Sequence, residues 1–228
     1  MTTLIVIAKA PVPGRVKTRL SPPFTPAQSA ALAEAALADT LETVLSAASG
    51  QPILALDGAP GGWLPSGFAV IPQVQGGLDT RIAAAFAAAA RLAPGPALLI
   101  GMDTPQVGPQ LLRPGWDDAD ALIGLAQDGG FWALGFRAPG AELASRAVSG
   151  VPMSRPDTGS RQLARLRGRG LRTRLLPVLR DVDTAADAHA VARLCPWSRF
   201  ARRLRATAAG PPDTGWPPMV AATRAAAR

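Results

Sequence analysis

The sequence predicts an α/β protein built on a mostly parallel, mixed sheet with helices on both faces. Short apolar runs of strand length alternate with alanine-rich segments of helix length, and an Asp-Gly-Gly turn joins two of the runs closely enough for a hairpin. Isolated acidic and basic residues fall just beyond the runs rather than inside them, where ligands bind in open α/β sheets. At 228 residues the chain has room for one sizeable domain or two small ones. A hydrophobic fraction of 48% against 18% charged residues marks a globular chain and excludes a disordered one.

The elements follow in order. Leu4-Ile5-Val6-Ile7 is a short, mainly β-branched run and reads as a buried first strand. Thr25-Pro26 supplies an N-cap and an N1 proline to an alanine-rich helix reaching about residue 49. Apolar runs over 53–56 and 68–74, bounded by Gly, Pro and Asp, are strands. Residues 79–92 form a second alanine-rich helix and 97–101 a buried strand. Runs over 121–125 and 131–136 flank the turn Gln127-Asp128-Gly129-Gly130 as two further strands, and 171–176 is the last strand. Thr184 then caps a helix to about residue 194, with Asp187 at capping-box spacing. The domain is expected to span 1–195. Residues 196–228, rich in Arg, Ala, Pro and Gly, are expected to be a loosely ordered basic tail.

The net charge of +8 raises nucleic acid as a partner, but its distribution argues against one. Residues 196–228 hold six arginines and one aspartate, which is +5 of the +8. Six arginines over 161–174 have mixed spacing and no interleaved aromatics on which bases could stack, so they read as a solvated helix and turn. No stretch approaches ~20 consecutive strongly apolar residues, so no membrane span is expected. The N-terminus lacks the pattern of a secretory signal, and a cytoplasmic location is the expectation. One cysteine, Cys195, excludes an internal disulfide framework or a cysteine metal cluster. The single histidine, His189, falls inside a helix, and with no Gly-x-Ser-x-Gly elbow present triad hydrolysis is not expected.

Among 24 basic residues only Lys9 and Lys17 are lysines, and both flank a Gly/Pro loop that follows the first strand. Where arginine serves as the generic cation, a retained lysine points to a need for a compact ammonium. The loop reads either as a phosphate cradle or as a solvated basic turn; in both cases its charges would be exposed and contribute little to folding. It is not a Walker loop, which would need Gly-Lys-Ser/Thr after its spacer. Gly101-Met102-Asp103-Thr104-Pro105 ends a buried strand on a carboxylate, and Asp181-Val182-Asp183-Thr184 repeats that arrangement after the last strand. Two such carboxylates suit Mg²⁺, which binds through one or two carboxylates plus phosphates and water. Equally, Asp103 could open a turn and Asp183 help cap a helix. Asp128-Gly129-Gly130 is open in the same way, because a tight turn needs those glycines.

Four blocks in this order carry a resemblance: Lys9-x-Pro-x-Pro-Gly14-x-Val-Lys17-Thr18-Arg19-Leu20, Gly101-x-Asp103-Thr104-Pro105, Asp128-Gly129-Gly130-Phe131-Trp132, and Asp181-Val182-Asp183-Thr184-x-x-Asp187. Together they resemble the bacterial rSAM/selenodomain-associated transferase 1 family, grouped with glycosyltransferase-A type proteins of the nucleotide-diphospho-sugar transferase superfamily. The first block is also similar to that of phospholactate guanylyltransferase, in which an alanine-rich helix ends near Asp-Thr-Leu, here Asp39-Thr40-Leu41. The resemblance covers about residues 4–194. It implies a Rossmann-like, glycosyltransferase-A type three-layer fold and a nucleotide held by the loop through Lys9, Gly14, Lys17 and Arg19. It also implies a metal at Asp103 with a second contact from Asp183, and nucleotide contacts at Gly77 and Arg81. This chain departs from the family in reading Gly76-Gly77-Leu78-Asp79 for Gly-Asp-Leu-Gly, Gly124-Leu125-Ala126 for Gly-Pro-Ala, and Phe131 for a tyrosine.

The expected function is a Mg²⁺-dependent nucleotidyltransferase that moves NMP from an NTP to a small phosphorylated acceptor. Lys17 and Arg19 would stabilise phosphate charge and Asp128 would orient the acceptor or its metal. Glycosyl transfer from a nucleotide-sugar and non-catalytic nucleotide binding are the alternatives.

Overall fold

The computed structural model describes residues 1–208, and both the sheet and its helical cover agree with the sequence expectation. Strands β1 (Thr3–Lys9), β2 (Ile53–Asp57), β3 (Ala69–Pro72), β4 (Ala97–Gly101), β5 (Ala121–Ala126), β6 (Phe131–Phe136) and β7 (Thr173–Leu179) form one sheet in the order β3-β2-β1-β4-β6-β5-β7. Only β6 runs against the rest, because the Asp-Gly-Gly turn returns the chain antiparallel to β5 and in register beside β4. The chain leaves β1 toward β2 and β3 on one side and reaches β4 on the other. A crevice therefore opens where the carboxyl ends of β1 and β4 diverge.

Alternation of side chains along the strands builds two apolar layers. Leu4, Val6, Leu54 and Leu98 face helix α1 (Pro26–Ala47), while Ile5, Ile7, Ile53 and Leu99 face α2 (Leu78–Leu92) and α3 (Ala141–Val148). On the second face Phe86 of α2 meets Phe136 of β6 edge to face at 4.8 Å. Helix α4 (Thr158–Gly168) closes that face through Leu166. Of its arginines and those that follow, Arg161 pairs with Asp157 one turn away and Arg172 with Asp120 just before β5, both on the surface.

Helix α1 begins with the expected N-cap: Thr25 accepts from the Gln28 amide, and Gln28 Oε1 accepts from the Thr25 amide. It carries apolar residues on two sides because it is buried on both, with Glu34 and Glu42 left on the exposed strip. Its outer side carries Leu32 and Ala36 against Leu20, Val191 of α5 (Ala185–Leu194), and Phe200 and Leu204 of α6 (Arg199–Ala208).

Helix α6 corrects the expected boundary at 195. Ser198 caps it by accepting from the Ala201 amide at 2.9 Å, and Asp39 of α1 accepts from the Arg199 and Phe200 amides at 3.0 and 2.8 Å. Phe200 is fully buried, so the folded unit runs on through residue 208. The sequence signal was present, as Ser198 followed by Phe200, Ala201 and Leu204 has helical spacing, but the surrounding Arg, Pro and Gly masked it. The rest of the expected tail, 209–228, lies outside the described residues. Among the described residues no helix is long and apolar enough to cross a membrane.

Because Phe200 fills a sealed interface, Phe200→Ala is expected to cost about 3–5 kcal/mol, the usual range for emptying a buried aromatic site. Urea unfolding followed by circular dichroism checks this; a midpoint within error of wild type would return the stretch from 196 to the status of a tail.

Candidate active site

The polar residues that end the strands converge on a cleft of about 840 Å³ at the carboxyl edge of the sheet. Lys9 ends β1, Asp57 ends β2, Asp103 follows β4, Asp128 follows β5, and Asp181 and Asp183 follow β7. The loop over 10–20 crosses the cleft and is pinned by two apolar anchors, Val16 and Leu20, both buried. Between the anchors Lys17 takes a left-handed backbone conformation (φ 48°, ψ 41°), which begins a 3₁₀ turn, Thr18–Leu20. Such a conformation is uncommon for a residue with a side chain, and here it coincides with the insertion of that side chain between two carboxylates.

Lys17 Nζ lies 2.9 Å from Asp103 Oδ1 and 3.1 Å from Asp183 Oδ1, with only 9% of the side chain exposed. This corrects the expectation of an exposed loop charge. Burial pulls the ammonium pKa down, but attraction from Asp103 and then Asp183 outweighs it, so the value is raised above that of a free lysine. The second oxygen of Asp183 takes Arg19 Nη1 at 3.2 Å. A backbone bond from the Val182 amide to the Asp103 carbonyl, 2.9 Å, fastens the β7–α5 connection to the end of β4 and sets the two carboxylates side by side. Thr184 and Asp187 form the expected capping box of α5, which assigns Asp187 to the helix end.

Asp183 also belongs to a second grouping. Asp128, Asp181 and Asp183 bring carboxylate oxygens within 4.8 Å of one another. Asp128 is oriented by the Gly130 amide, which donates to Oδ1 at 2.7 Å. The Asp181 carboxyl is pushed up to about 6, first by burial and then by the charges of Asp128 and Asp183. Three hard oxygen donors whose mutual repulsion is incompletely neutralised are chemically suited to a divalent cation such as Mg²⁺. The sequence expectation paired Asp103 with Asp183. The structure gathers Asp183 with Asp128 and Asp181 and leaves Asp103 linked to them through Lys17.

The turn that carries Asp128 is fixed by close backbone approach. Gly129 has φ +92°, and a Cβ there would lie 1.8 Å from the Pro156 carbonyl oxygen. Gly159 donates its amide to the Gly129 carbonyl at 2.7 Å, and a Cβ on Gly159 would meet Gly130 O at 2.3 Å. Both contacts exclude any side chain, and they bring residues 153–158 against the hairpin as one wall of the cleft. Phe131 lines that wall, while Trp132 is buried with its indole N–H on the Pro177 carbonyl.

On the opposite wall Arg81 extends from the first turns of α2 into the cleft and pairs with Asp57 at 2.9 Å. Lys9 stands half exposed, 3.8 Å from the same carboxylate. Gly14 and Gly77 do not line the cleft. Gly14 turns the loop at φ +75°, and Gly77 is the N-cap of α2. Asp57 and Gln73 were missed in the sequence, although the rule that picked out Asp103, an acid ending a buried strand, applies equally to Asp57.

Solved structures share this fold. A protein from Desulfovibrio desulfuricans G20, provisionally called a nucleotide-diphospho-sugar transferase, superposes with a TM-score of 0.80 at 24% identity, covering 92% of this chain and 96% of its own. A cytidylyltransferase from Leptospira borgpetersenii serovar Hardjo-bovis (strain JB197) gives 0.53 at 12% identity, over 91% and 94% of the two chains. CMP:2-keto-3-deoxy-manno-octonic acid synthetase, solved with CTP, gives 0.51 at 15% identity, over 86% and 98%. The fold is thus that of the nucleotide-diphospho-sugar transferases and cytidylyltransferases. Residues 31–155, more than half of the chain, match the DUF2064 family, described as an uncharacterized protein conserved in bacteria, and the chain belongs to it. No curated protein matches the sequence.

Two outcomes are expected from this geometry. Lys17→Ala leaves two partly buried carboxylates facing each other, so it should destabilise the fold by about 1–3 kcal/mol, whereas an exposed lysine would cost almost nothing. Chemical denaturation at neutral pH decides between them. The second outcome concerns pH. The Asp181 carboxyl titrates above its unfolded value, so between about pH 4 and 6 the folded chain holds a proton that the unfolded chain has lost. Stability in the absence of divalent cations should therefore fall as pH rises through that window, and Asp181→Asn should flatten the fall. A wild-type profile that rises from about pH 4 to 7 in metal-free buffer would contradict this reading.

Proposed function

We propose that the chain is a divalent-cation-dependent nucleotidyltransferase that moves NMP from an NTP to a small phosphorylated acceptor. In this reaction an acceptor oxygen bonds to the α-phosphorus as the bond to the bridging oxygen breaks, and pyrophosphate leaves. The observation that carries the reading is the alternation of charge at one strand edge: Lys17 and Arg19 interleaved with Asp103 and Asp183, beside the Asp128–Asp181–Asp183 group. Phosphoryl chemistry asks a protein for position and charge, and this cleft offers both signs within one hydrogen-bond length of each other.

Lys17 and Arg19 bind the triphosphate as they exchange carboxylate partners for phosphate oxygens. Lys9 and Arg81 bind toward the nucleoside end. Asp128, Asp181 and Asp183 hold Mg²⁺, which when bound supplies neutralisation of phosphate charge. Asp103 positions Lys17, and the 153–158 wall with Phe131 shields the acceptor end from water.

Glycosyl transfer from a nucleotide-sugar is the second reading, favoured by the 0.80 superposition on a protein provisionally called a nucleotide-diphospho-sugar transferase. The two readings and non-catalytic nucleotide binding separate by experiment. In Mg²⁺ buffer a bound NTP at about a hundred times its dissociation constant should stabilise the fold by about 2.7 kcal/mol in a thermal-shift panel, and pyrophosphate should appear once an acceptor is present. Lys17→Ala should weaken NTP binding by about 1.5–3 kcal/mol, and Lys17→Arg should not restore it. Stabilisation by nucleotide-sugars alone would favour glycosyl transfer. NTP binding without turnover on any phosphorylated acceptor would favour the non-catalytic reading, and NTPs and sugar nucleotides that are both inert would refute the proposal.

A further inference from the structure

At the end of the cleft away from the carboxylate cluster, Gln73, Arg81 and Asp57 form a braced network that the phosphate chemistry does not use. The Gln73 carboxamide donates to the carbonyls of Ala8 in β1 and Ala55 in β2, at 2.8 and 2.9 Å. Those two bonds consume its amide protons and fix its oxygen, which accepts from Arg81 Nη1 at 3.3 Å. Arg81 is held further by donating from Nε to the Gly76 carbonyl at 3.0 Å, and its Nη1 donates to Asp57 Oδ2 at 2.9 Å. Two groups remain without a hydrogen-bond partner among the described residues: Asp57 Oδ1 and Arg81 Nη2. Asp57 lines the cleft with about a third of its side chain exposed (35%).

The position of this pair is informative. Asp57 ends β2 directly opposite Lys9, its register partner at the end of β1, and the phosphate loop leaves β1 at that point. In dinucleotide-binding doubly wound sheets, which hold phosphates after the first strand, an acidic side chain further along the chain accepts from a ribose hydroxyl. A free carboxylate oxygen beside a free guanidinium nitrogen offers both an acceptor and a donor to a vicinal diol.

We propose that Asp57, braced by Arg81 and Gln73, reads the ribose cis-diol of the bound nucleotide, so that the protein selects ribonucleotides over 2′-deoxyribonucleotides. The proposal rests on the nucleotide reading above, and the experiment separates the two. ATP, GTP, CTP and UTP are titrated calorimetrically with Mg²⁺ into wild type, and the tightest is compared with its 2′-deoxy and 3′-deoxy counterparts. The ribonucleotide should bind at least about tenfold more tightly, as expected for a lost hydrogen bond to a charged group. Asp57→Ala should bring the ratio close to one by weakening the ribonucleotide alone, and Asp57→Asn should lower it part of the way. If the alanine variant does not fold, the asparagine variant and the wild-type analogue series still decide. Equal wild-type affinities, or a ratio unchanged in either variant, overturn the assignment while leaving nucleotide binding intact. If none of the four nucleotides binds, the nucleotide reading fails and the proposal falls with it.

Discussion

The ammonium of Lys17, held between Asp103 and Asp183, is the interaction on which the cleft depends. It joins three parts of the chain distant in sequence: the loop after β1, the end of β4 and the connection from β7 to α5. Without a cation between them, the carboxylates that follow β4 and β7 would repel across a partly buried gap. With it, their repulsion becomes a bridge worth more than a surface pair, because little solvent reaches the ammonium. The left-handed backbone at Lys17 is the local cost of reaching that position, and the buried Val16 and Leu20 on either side hold the loop against it.

Everything else at the strand edge is arranged around that bridge by backbone contacts more than by side chains. The Val182 amide on the Asp103 carbonyl fixes the spacing of the two acids. In the hairpin turn, the Gly129–Gly159 bond does the same for Asp128, with no room for a Cβ on either partner. Behind the cleft, α1 is clamped between the sheet and the α5–α6 pair, so the helix following the Lys17 loop is buried on both sides. The site therefore sits on a frame whose positions are set by main-chain hydrogen bonds and by packing.

Much of this was legible in the sequence. The seven strands show as apolar runs, and helices α1, α2 and α5 announce themselves through Thr25-Pro26, alanine content and the Thr184/Asp187 cap. Helices α3 and α6 did not, being short and embedded in Gly, Pro and Arg whose compositional bias outweighed their i, i+3, i+4 apolar pattern. Of the site residues, Lys9, Lys17, Arg19, Arg81, Asp103, Asp128 and Asp183 reach the cleft, whereas Gly14 and Gly77 shape the backbone beside it. Which acids meet one another was not legible, because strand order, not chain order, sets their neighbours: β5 and β7 are adjacent, so Asp128 meets Asp181 and Asp183. Gln73 was invisible for a different reason. Its role lies in spanning two carbonyls on separate strands, which no local pattern encodes.

The Lys17 bridge also bears on what affinity in this cleft would measure. The ammonium already has two anionic partners, and Arg19 shares one of them, so an incoming anion meets cations that are occupied. Its binding free energy is a difference between two partners for the same charge, as in an ion exchanger, and not the gain of pairing a bare cation. A ligand of low charge density gains nothing by the exchange, while one with several closely spaced negative oxygens outcompetes a carboxylate. Under the proposed nucleotide reading, the bridge would work as a threshold that discriminates by charge density first.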